Sequence, residues 1–240
     1  MIRIYNDLTL LSRAAAQLIC DASEMNIGLK GEFSIVLSGG ETPRVVYELL
    51  ASAEYRFKID WKHVIIFFGD ERYVPPSDNR SNFKMAFDTL LKHVPVAHRN
   101  VFPIPTDSTP EENSDGYEEI LKEKFSGLFP EFDLVLLGLG TDGHTASLFP
   151  YTGILNEKKK WVSAVFVDQQ KEFRITLTAS AINSAKQVVF LVAGKSKAEI
   201  LRQVLEGKKN TQLLPAQLIT PCHGGPIWMV DRASAEYLLI

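Results

Sequence analysis

The residues best suited to chemistry lie in one stretch, Phe132 to Pro150, with the sequence FDLVLLGLGTDGHTASLFP. Its apolar run, Leu134 to Leu137, predicts a buried strand, and the glycine-rich turn that follows contains Asp142 and His144. We expect the turn to lead into a short helix closed by the proline. Such a strand–turn–helix unit places side chains and free N–H groups at the carboxyl edge of a sheet, where α/β proteins bind ligands.

His144 is the first candidate for a catalytic role. Imidazole is the usual general base near neutral pH, and this one follows a glycine turn at a strand end. A carboxylate such as Asp142 or Asp70 is expected to orient the ring and to stabilise the imidazolium that forms. The other histidines have no such setting, and we expect them at the surface or in packing.

Cations follow several of the predicted strands. Arg72 comes just after the strand Val64 to Phe68, and Arg174 and Lys197 lie close to other strand ends. The planar guanidinium group can bind a phosphate through two parallel hydrogen bonds. Together these side chains predict an anion site at the same edge of the sheet as His144.

A second glycine turn, SGGETP, runs from Ser38 to Pro43 and follows the predicted strand Ser34 to Leu37. We expect a helix from Arg44 to about Ala53, with the proline at its first position. The hydroxyl and N–H groups of this turn can bind a phosphate or a sugar oxygen. The Gly-x-Ser-x-Gly elbow of serine hydrolases is absent, which disfavours a nucleophilic role for the serine.

Short apolar strands alternate with amphipathic helices along most of the 240 residues. This pattern predicts one α/β domain over residues 1–240, with a mostly parallel sheet covered on both faces. A β-rich pair, Trp161 to Val167 and Arg174 to Thr178, and further strands at Gln187 to Val192 and Ile227 to Val230 belong to it. Residues Ser81 to Leu91 and Ala233 to Leu238 are expected to be helical.

Composition excludes several classes of function. The net charge of −3 gives no sign of nucleic-acid binding, and no apolar run reaches the ~20 residues of a membrane span. Cys20 and Cys222 fit no disulfide or metal motif, and no cluster has metal-ligand spacing, so we expect neither a metal nor another cofactor. The N-terminal sequence is unlike a signal peptide, which makes the cytoplasm the expected location.

The order of the motifs resembles that of the 6-phosphogluconolactonase family. Five segments carry the resemblance: SGGETP (38–43), DERYVPPSDNRSN (70–82), LGLGTDGHTASLFP (137–150), RITLT (174–178) and GKSK (194–197). The second and third are long and specific, and together the five extend over nearly the whole chain. One departure is Lys171-Glu172-Phe173, where that family often has prolines.

The resemblance implies a Rossmann-like three-layer α/β/α fold and the hydrolysis of a sugar-phosphate lactone. It makes His144 the general base, with Asp142 and Asp70 beside it. It assigns the remaining site residues to substrate and phosphate binding: Ser38, Gly39, Gly40, Thr42, Arg72, Gly143, Arg174 and Lys197. The expected protein is a monomer or weak homo-oligomer that acts on a small molecule.

Two alternatives remain open from the residues. A glucosamine-6-phosphate deaminase or isomerase shares the Asp-Gly-His turn, but resemblance to it requires a glutamate just before the closing proline, where Phe149 stands. A non-catalytic sugar-phosphate sensor shares the fold, but such regulators carry an additional DNA-binding segment, which is not seen here. Turnover by purified protein separates the enzyme from the sensor.

Overall fold

The computed structural model describes residues 1–239, and strands and helices alternate along most of that length. The strands are β1 (Ile2–Tyr5), β2 (Phe33–Leu37), β3 (Val64–Phe68), β4 (Asp70–Arg72), β5 (Val101–Phe102), β6 (Leu134–Leu137), β7 (Val162–Val167), β8 (Glu172–Leu177), β9 (Val188–Val192) and β10 (Ile227–Asp231). The α-helices are α1 (Leu8–Lys30), α2 (Glu41–Ala51), α3 (Asn82–Thr89), α4 (Pro110–Lys124), α5 (Ala179–Asn183) and α6 (Ala198–Glu206).

A seven-stranded sheet in the order β1-β10-β9-β6-β2-β3-β5 forms the centre of the fold, and all of its strand pairs are parallel. The central strands β2, β6 and β9 are buried along their whole length, as expected of apolar strands that helices cover. The predicted fold class, a mostly parallel α/β sheet flanked by helices, is confirmed.

A separate three-stranded antiparallel sheet, β4-β8-β7, was not predicted. The β-rich character of β7 and β8 is apparent in the sequence, but β4 is short and charged, which hides it from a pattern of apolar alternation. Its pairing with β8 sets Asp70 opposite Thr176 and Arg72 opposite Arg174. This register brings distant motifs of the chain to one place.

The expected helix between His144 and Pro150 is wrong. Residues there form turns, with a β-bridge between Thr145 and Leu148. Ala146 has a φ of 48°, in the left-handed region, and the Thr145 hydroxyl bonds the Gly138 carbonyl, so the local hydrogen bonds compete with a helix.

Two other helix predictions also need correction. Helix α2 begins at Glu41 rather than Arg44, because Gly40 with a φ of 107° caps it. Pro43 is therefore its third residue, where an N–H still has no partner in the helix. Residues 233–237 form turns instead of a helix, and the Ser234 N–H donates a hydrogen bond to the Asp231 carboxylate there at 2.7 Å.

The helices surround the sheet and leave its carboxyl edge to loops. Helix α1, capped by Asp7, packs against α2, which packs against α3, while α4 packs against β7 and β8. Loops that follow β2, β6 and β9 meet at the carboxyl edge, beside the small antiparallel sheet. Among the helices of residues 1–239, none has the length and apolar character to cross a lipid bilayer.

Candidate active site

A cleft of about 510 Å³ lies at this carboxyl edge, where the two sheets meet. Most of the site residues predicted from the sequence line it: Ser38, Gly39, Gly40, Thr42, Asp70, Arg72, His144, Arg174 and Lys197. Asp142 and Gly143 do not line the cleft and lie in the turn behind the imidazole. The structure therefore brings together residues that are up to about 160 positions apart in the chain.

His144 and Asp142 form a hydrogen-bonded pair. The imidazole Nδ1 lies 2.5 Å from the Asp142 Oδ1, and the His144 backbone N–H donates to the same oxygen at 3.2 Å. The His144 side chain is 26% exposed, so it reaches the cleft while most of its surface is packed. This pair is the local unit that a general base needs.

The two glycines of the turn have separate roles. A Cβ on Gly140 would lie 2.1 Å from the His144 Nδ1 and 2.7 Å from the Asp142 Oδ1, so only glycine leaves room for the pair. Gly143 has a φ of 84°, and its Cβ would also meet Leu214 at 2.9 Å. Both the tight turn and the close approach of the ring thus depend on glycine.

Electrostatics favour an ionised Asp142. Burial alone would raise the pKa of this carboxyl, but the hydrogen bonds and charge of His144 outweigh it and lower the pKa. An ionised Asp142 accepts from Nδ1–H, which leaves Nε2 as the ring atom able to take a proton. Within residues 1–239, Nε2 makes no hydrogen bond to the protein.

Phe149 packs against one face of the His144 imidazole. Its ring stacks on His144 with the ring centroids 4.1 Å apart and the planes 28° from parallel. Phe149 is itself buried, so the imidazole rests on a rigid surface. This contact limits the ring to rotation within a narrow range.

Asp70 lies in the cleft but is not hydrogen-bonded to His144. Its Oδ2 accepts from the buried Ser147 hydroxyl at 2.7 Å, and its Oδ1 accepts from the Asn82 side chain at 3.2 Å. A Cβ on Gly39 would lie 2.0 Å from the Asn82 Oδ1, so the glycine leaves room for the Asn82 side chain. This network joins three of the motifs, and the catalytic role of Asp70 stays a prediction.

Arg72 and Arg174 are neighbours on adjacent antiparallel strands. The Nε–H group of each is buried and has no hydrogen-bond partner. Burial and the charge of Arg72 lower the pKa of Arg174, against the opposing charges of Asp70 and Glu172. Arg174 is buried and Arg72 half-buried, and two cations whose Nε–H donors are buried without partners make a site that an anion would stabilise.

Lys197 adds a third cation to the lining of the cleft, in the turn that follows β9. Burial lowers the pKa of its ammonium group, although the charge of Asp142 opposes this effect. The lysine forms no ion pair with the described residues. It is therefore available to an anionic ligand in the cleft.

The turn Ser38–Pro43 forms one wall of the cleft. The Tyr47 hydroxyl holds it, accepting from the Ser38 N–H and donating to the Ser38 carbonyl, both at 2.9 Å. Gly40 then caps α2, whose first N–H groups have no partner in the helix. The site thus includes a helix N-terminus beside the cations.

Sequence reasoning missed several residues that organise the site. Asn82, Ser147 and Phe149 lie inside the motifs that were singled out, so their positions were visible but their roles were not. Glu172 gave a signal only as a departure from the family pattern, yet it contacts Arg174. Within residues 1–239, no group of three or more His, Cys, Asp or Glu side chains is placed to hold a metal.

A parallel α/β sheet with an imidazole–carboxylate pair and clustered cations at its carboxyl edge defines an enzyme-like site for an anionic small molecule. Residues 6–228 match the model of the glucosamine-6-phosphate isomerase/6-phosphogluconolactonase family. The chain belongs to this family.

Known proteins give a consistent comparison. A 6-phosphogluconolactonase of Synechocystis is 39% identical over 98% of this chain and 96% of its own length. The structure of a Trypanosoma cruzi 6-phosphogluconolactonase matches with a TM-score of 0.86 and 29% identity, covering 100% of this chain and 97% of that one. A monomeric glucosamine-6-phosphate deaminase has the same fold, with a TM-score of 0.84 at 22% identity and 98% coverage of both chains.

Proposed function

We propose that this chain hydrolyses 6-phospho-D-glucono-1,5-lactone to 6-phosphogluconate, a step of the oxidative pentose phosphate pathway, with His144 as the general base. The names of its relatives support the reaction. The observation that carries the assignment of the base is the His144–Asp142 pair, which reaches the same cleft as the two arginines. A base and an anion site in one cleft suit a phosphorylated substrate that reacts with water.

The proposed step begins with water held between His144 and the lactone carbonyl. Nε2 takes a proton from this water as its oxygen attacks C1, and Asp142 stabilises the imidazolium through Nδ1–H. The bond from C1 to the ring oxygen then breaks, and the imidazolium returns the proton to that oxygen. N–H groups of the glycine turns, or a nearby cation, stabilise the oxyanion between these two events.

The phosphate is remote from the reacting carbonyl, so its contacts serve to position the lactone. Arg72, Arg174 and Lys197 are proposed to bind it, because they are the cations that line the cleft. These contacts change little between the bound lactone and the transition state, because the phosphate takes no part in the bond changes at C1. We therefore expect changes to these cations to act mainly on KM.

Deaminase chemistry is a weaker candidate at this site. Its ring-opening step needs a glutamate next to the histidine, and Phe149 stands at that position in the sequence. The Phe149 ring stacks on His144 at 4.1 Å, which gives the imidazole an apolar neighbour instead of a proton donor. A pure sensor has no need for the hydrogen-bonded His144–Asp142 pair.

The test is lactone opening by wild type and His144→Ala. The phospholactone is generated in situ from glucose 6-phosphate and its dehydrogenase, and acid release is followed. We expect the variant to lose about 10²–10⁴-fold in kcat, the usual contribution of a general base. His93→Ala, a change at an exposed histidine outside the cleft, is the control and should retain full activity.

Two results would count against this proposal. A loss smaller than about tenfold in His144→Ala would remove the role of the base but not the reaction. Folded wild-type protein that does not accelerate opening above the spontaneous rate would reject the lactonase function itself. A cytoplasmic location, a monomeric or weakly associated state, and the absence of cofactors and nucleic-acid partners stay predictions.

A further inference from the structure

Glu172 lies behind the two arginines and contacts one of them directly. Its Oε1 is 2.6 Å from the Arg174 NH2, and the Gln170 side-chain oxygen accepts from the same nitrogen. The Arg174 side chain is only 8% exposed and the Glu172 side chain 18%, so water screens this ion pair weakly. The hairpin that joins β7 to β8 therefore holds the guanidinium group.

The other Glu172 oxygen leads to Arg72. Oε2 lies 3.1 Å from the Arg80 NH1, and the Arg80 backbone carbonyl accepts from the Arg72 NH1 at 2.6 Å. Asp78 holds the other side of the Arg80 guanidinium at 3.0 Å. One carboxylate thus connects the hairpin to the loop that positions Arg72.

The two guanidinium groups repel each other, and the Glu172 carboxylate offsets part of this repulsion. Arg72 and Arg174 are directly opposite across the strands, and each has a buried Nε–H without a partner. We propose that Glu172 is a positioning residue, which holds Arg174 directly and Arg72 through Arg80 so that both line the cleft before substrate binds. This inference rests on the proposed phosphate site, and it assigns the residue that keeps that site in place.

Positioning predicts an effect on binding rather than on chemistry. In Glu172→Ala, Arg174 keeps its repulsion from Arg72 and loses its ion pair, so it must be ordered again when substrate binds. We expect KM for the phospholactone to rise about five- to twentyfold, with kcat within about twofold of wild type. The dissociation constant of inorganic phosphate, measured by calorimetry, should rise by a similar factor.

Two variants separate a specific contact from a general charge effect. Glu172→Gln keeps an oxygen that can accept from Arg174, so it should recover most of the lost affinity. Asp168→Ala removes an exposed carboxylate of the same hairpin that makes no hydrogen bond or ion pair to residues 1–239, and it should behave as wild type. If Asp168→Ala and Glu172→Ala shift KM equally, the positioning role is overturned.

The Arg174→Ala background gives the decisive control. If Glu172 acts through Arg174, removing it from Arg174→Ala should change KM and phosphate affinity much less than removing it from wild type. Equal effects in both backgrounds, or unchanged or tighter phosphate binding in Glu172→Ala, would overturn the inference. So would wild-type protein that does not bind phosphate, or that binds it equally well without Arg174.

The calorimetric arm also separates this inference from the proposed function. Phosphate binding that depends on Glu172 and Arg174 in a protein without lactonase activity would reject the reaction and retain the positioning role. Lactonase activity in a protein whose phosphate affinity does not change in Glu172→Ala would retain the reaction and reject the positioning role. Circular dichroism of each variant checks that the fold is intact.

Discussion

The strands β2, β6 and β9 have a group of charged side chains at each end, and the two groups are built differently. At the amino edge, the Asp133 carboxylate lies 2.9 Å from the ammonium groups of both Lys30 and Lys186. It also accepts from the Ser34 N–H at 2.8 Å and the Ser34 hydroxyl at 2.9 Å. We call this group the Asp133 cluster.

The carboxyl edge shows the opposite arrangement. Arg72, Arg174 and Lys197 bring three positive charges to one cleft, and two of the guanidinium nitrogens are buried without a partner. Glu172 and Asp70 offset part of this charge. In the Asp133 cluster, by contrast, the one carboxylate has four donors.

The difference separates a structural group of charges from a functional one. A carboxylate surrounded by its own donors stabilises the fold and has nothing left to offer a ligand. Like charges with unpaired donors cost folding free energy, and a ligand of opposite charge recovers it. Unsatisfied charge, more than charge itself, therefore supports the proposed phosphate site at the carboxyl edge.

Asp133→Asn tests the Asp133 cluster, and of the variants considered it should have the largest effect on the free energy of unfolding. The neutral amide turns an NH₂ group either toward Lys186 or toward Lys30 and Ser34, and it leaves donors unpaired. We expect the free energy of unfolding to fall by about 2–4 kcal/mol, a value that allows for solvent reaching both lysines. Urea denaturation measures it, with the exposed Asp107→Asn as control, and kcat should not change.

The pH dependence of this stabilisation has a definite sign. Burial would raise the Asp133 pKa, but Ser34, Lys30 and Lys186 outweigh it and lower the pKa below the unfolded value. The contribution is therefore complete above about pH 4 and is lost as the pH falls through the folded pKa. Wild type should lose its advantage over Asp133→Asn in that acid range, and a constant difference would contradict the assignment.

Gly140→Ala tests the carboxyl edge. We expect it to change the free energy of unfolding less than Asp133→Asn does, but to lower kcat directly. The added Cβ would lie 2.1 Å from the His144 Nδ1, so the imidazole must move away from its present position. We expect kcat to fall about 10- to 100-fold, because a displacement near 1 Å has that effect on a positioned base. Gly153→Ala, where no heavy atom lies within 4 Å of the new Cβ, is the control.

Activity that survives Gly140→Ala unchanged would show that the observed His144–Asp142 geometry is not required. The same result would weaken the comparison between the two edges, because displacement of the His144 imidazole would then leave the activity unchanged. Thermal unfolding should be measured on the same sample, so that lost activity is not confused with lost fold.

The sequence was sufficient to predict the parallel sheet and nine of the residues that line the cleft. Leu134 to Leu137 is apolar throughout, and glycine turns with charged residues follow strands, so both strands and their functional edge can be recognised. The pairing of Arg72 with Arg174 could not be predicted, because antiparallel register depends on contacts between segments far apart in the chain.

The missing helix after His144 shows the limit of local propensity. Residues 145–149 suit a helix by composition, but the bond of Thr145 to Gly138 and that of Ser147 to Asp70 hold them in turns. Tertiary partners decided the conformation, and single-sequence patterns contain no information about them. The Asp133 cluster escaped prediction for the same reason, since its members come from the end of α1 and from the starts of β2, β6 and β9.

Arg72→Ala is the smallest change in stability and the clearest test of the comparison. Removing one of two neighbouring cations relieves repulsion and deletes a buried donor without a partner, at the loss of one hydrogen bond to the Arg80 carbonyl. In phosphate-free buffer we expect the free energy of unfolding to be unchanged or higher by up to about 1 kcal/mol. KM for the phospholactone should rise while kcat stays close to wild type.

Added phosphate completes the test, because a ligand stabilises only the state that binds it. Wild type should gain thermal stability with phosphate, and Arg72→Ala should gain less. Arg99→Ala changes an exposed arginine whose side chain makes no hydrogen bond or ion pair within residues 1–239, and it should match wild type in both buffers. If Arg72→Ala instead destabilises the unliganded protein as much as Asp133→Asn does, the cations of the cleft belong to the structure as fully as the Asp133 cluster. The distinction between the two edges would then have to be abandoned.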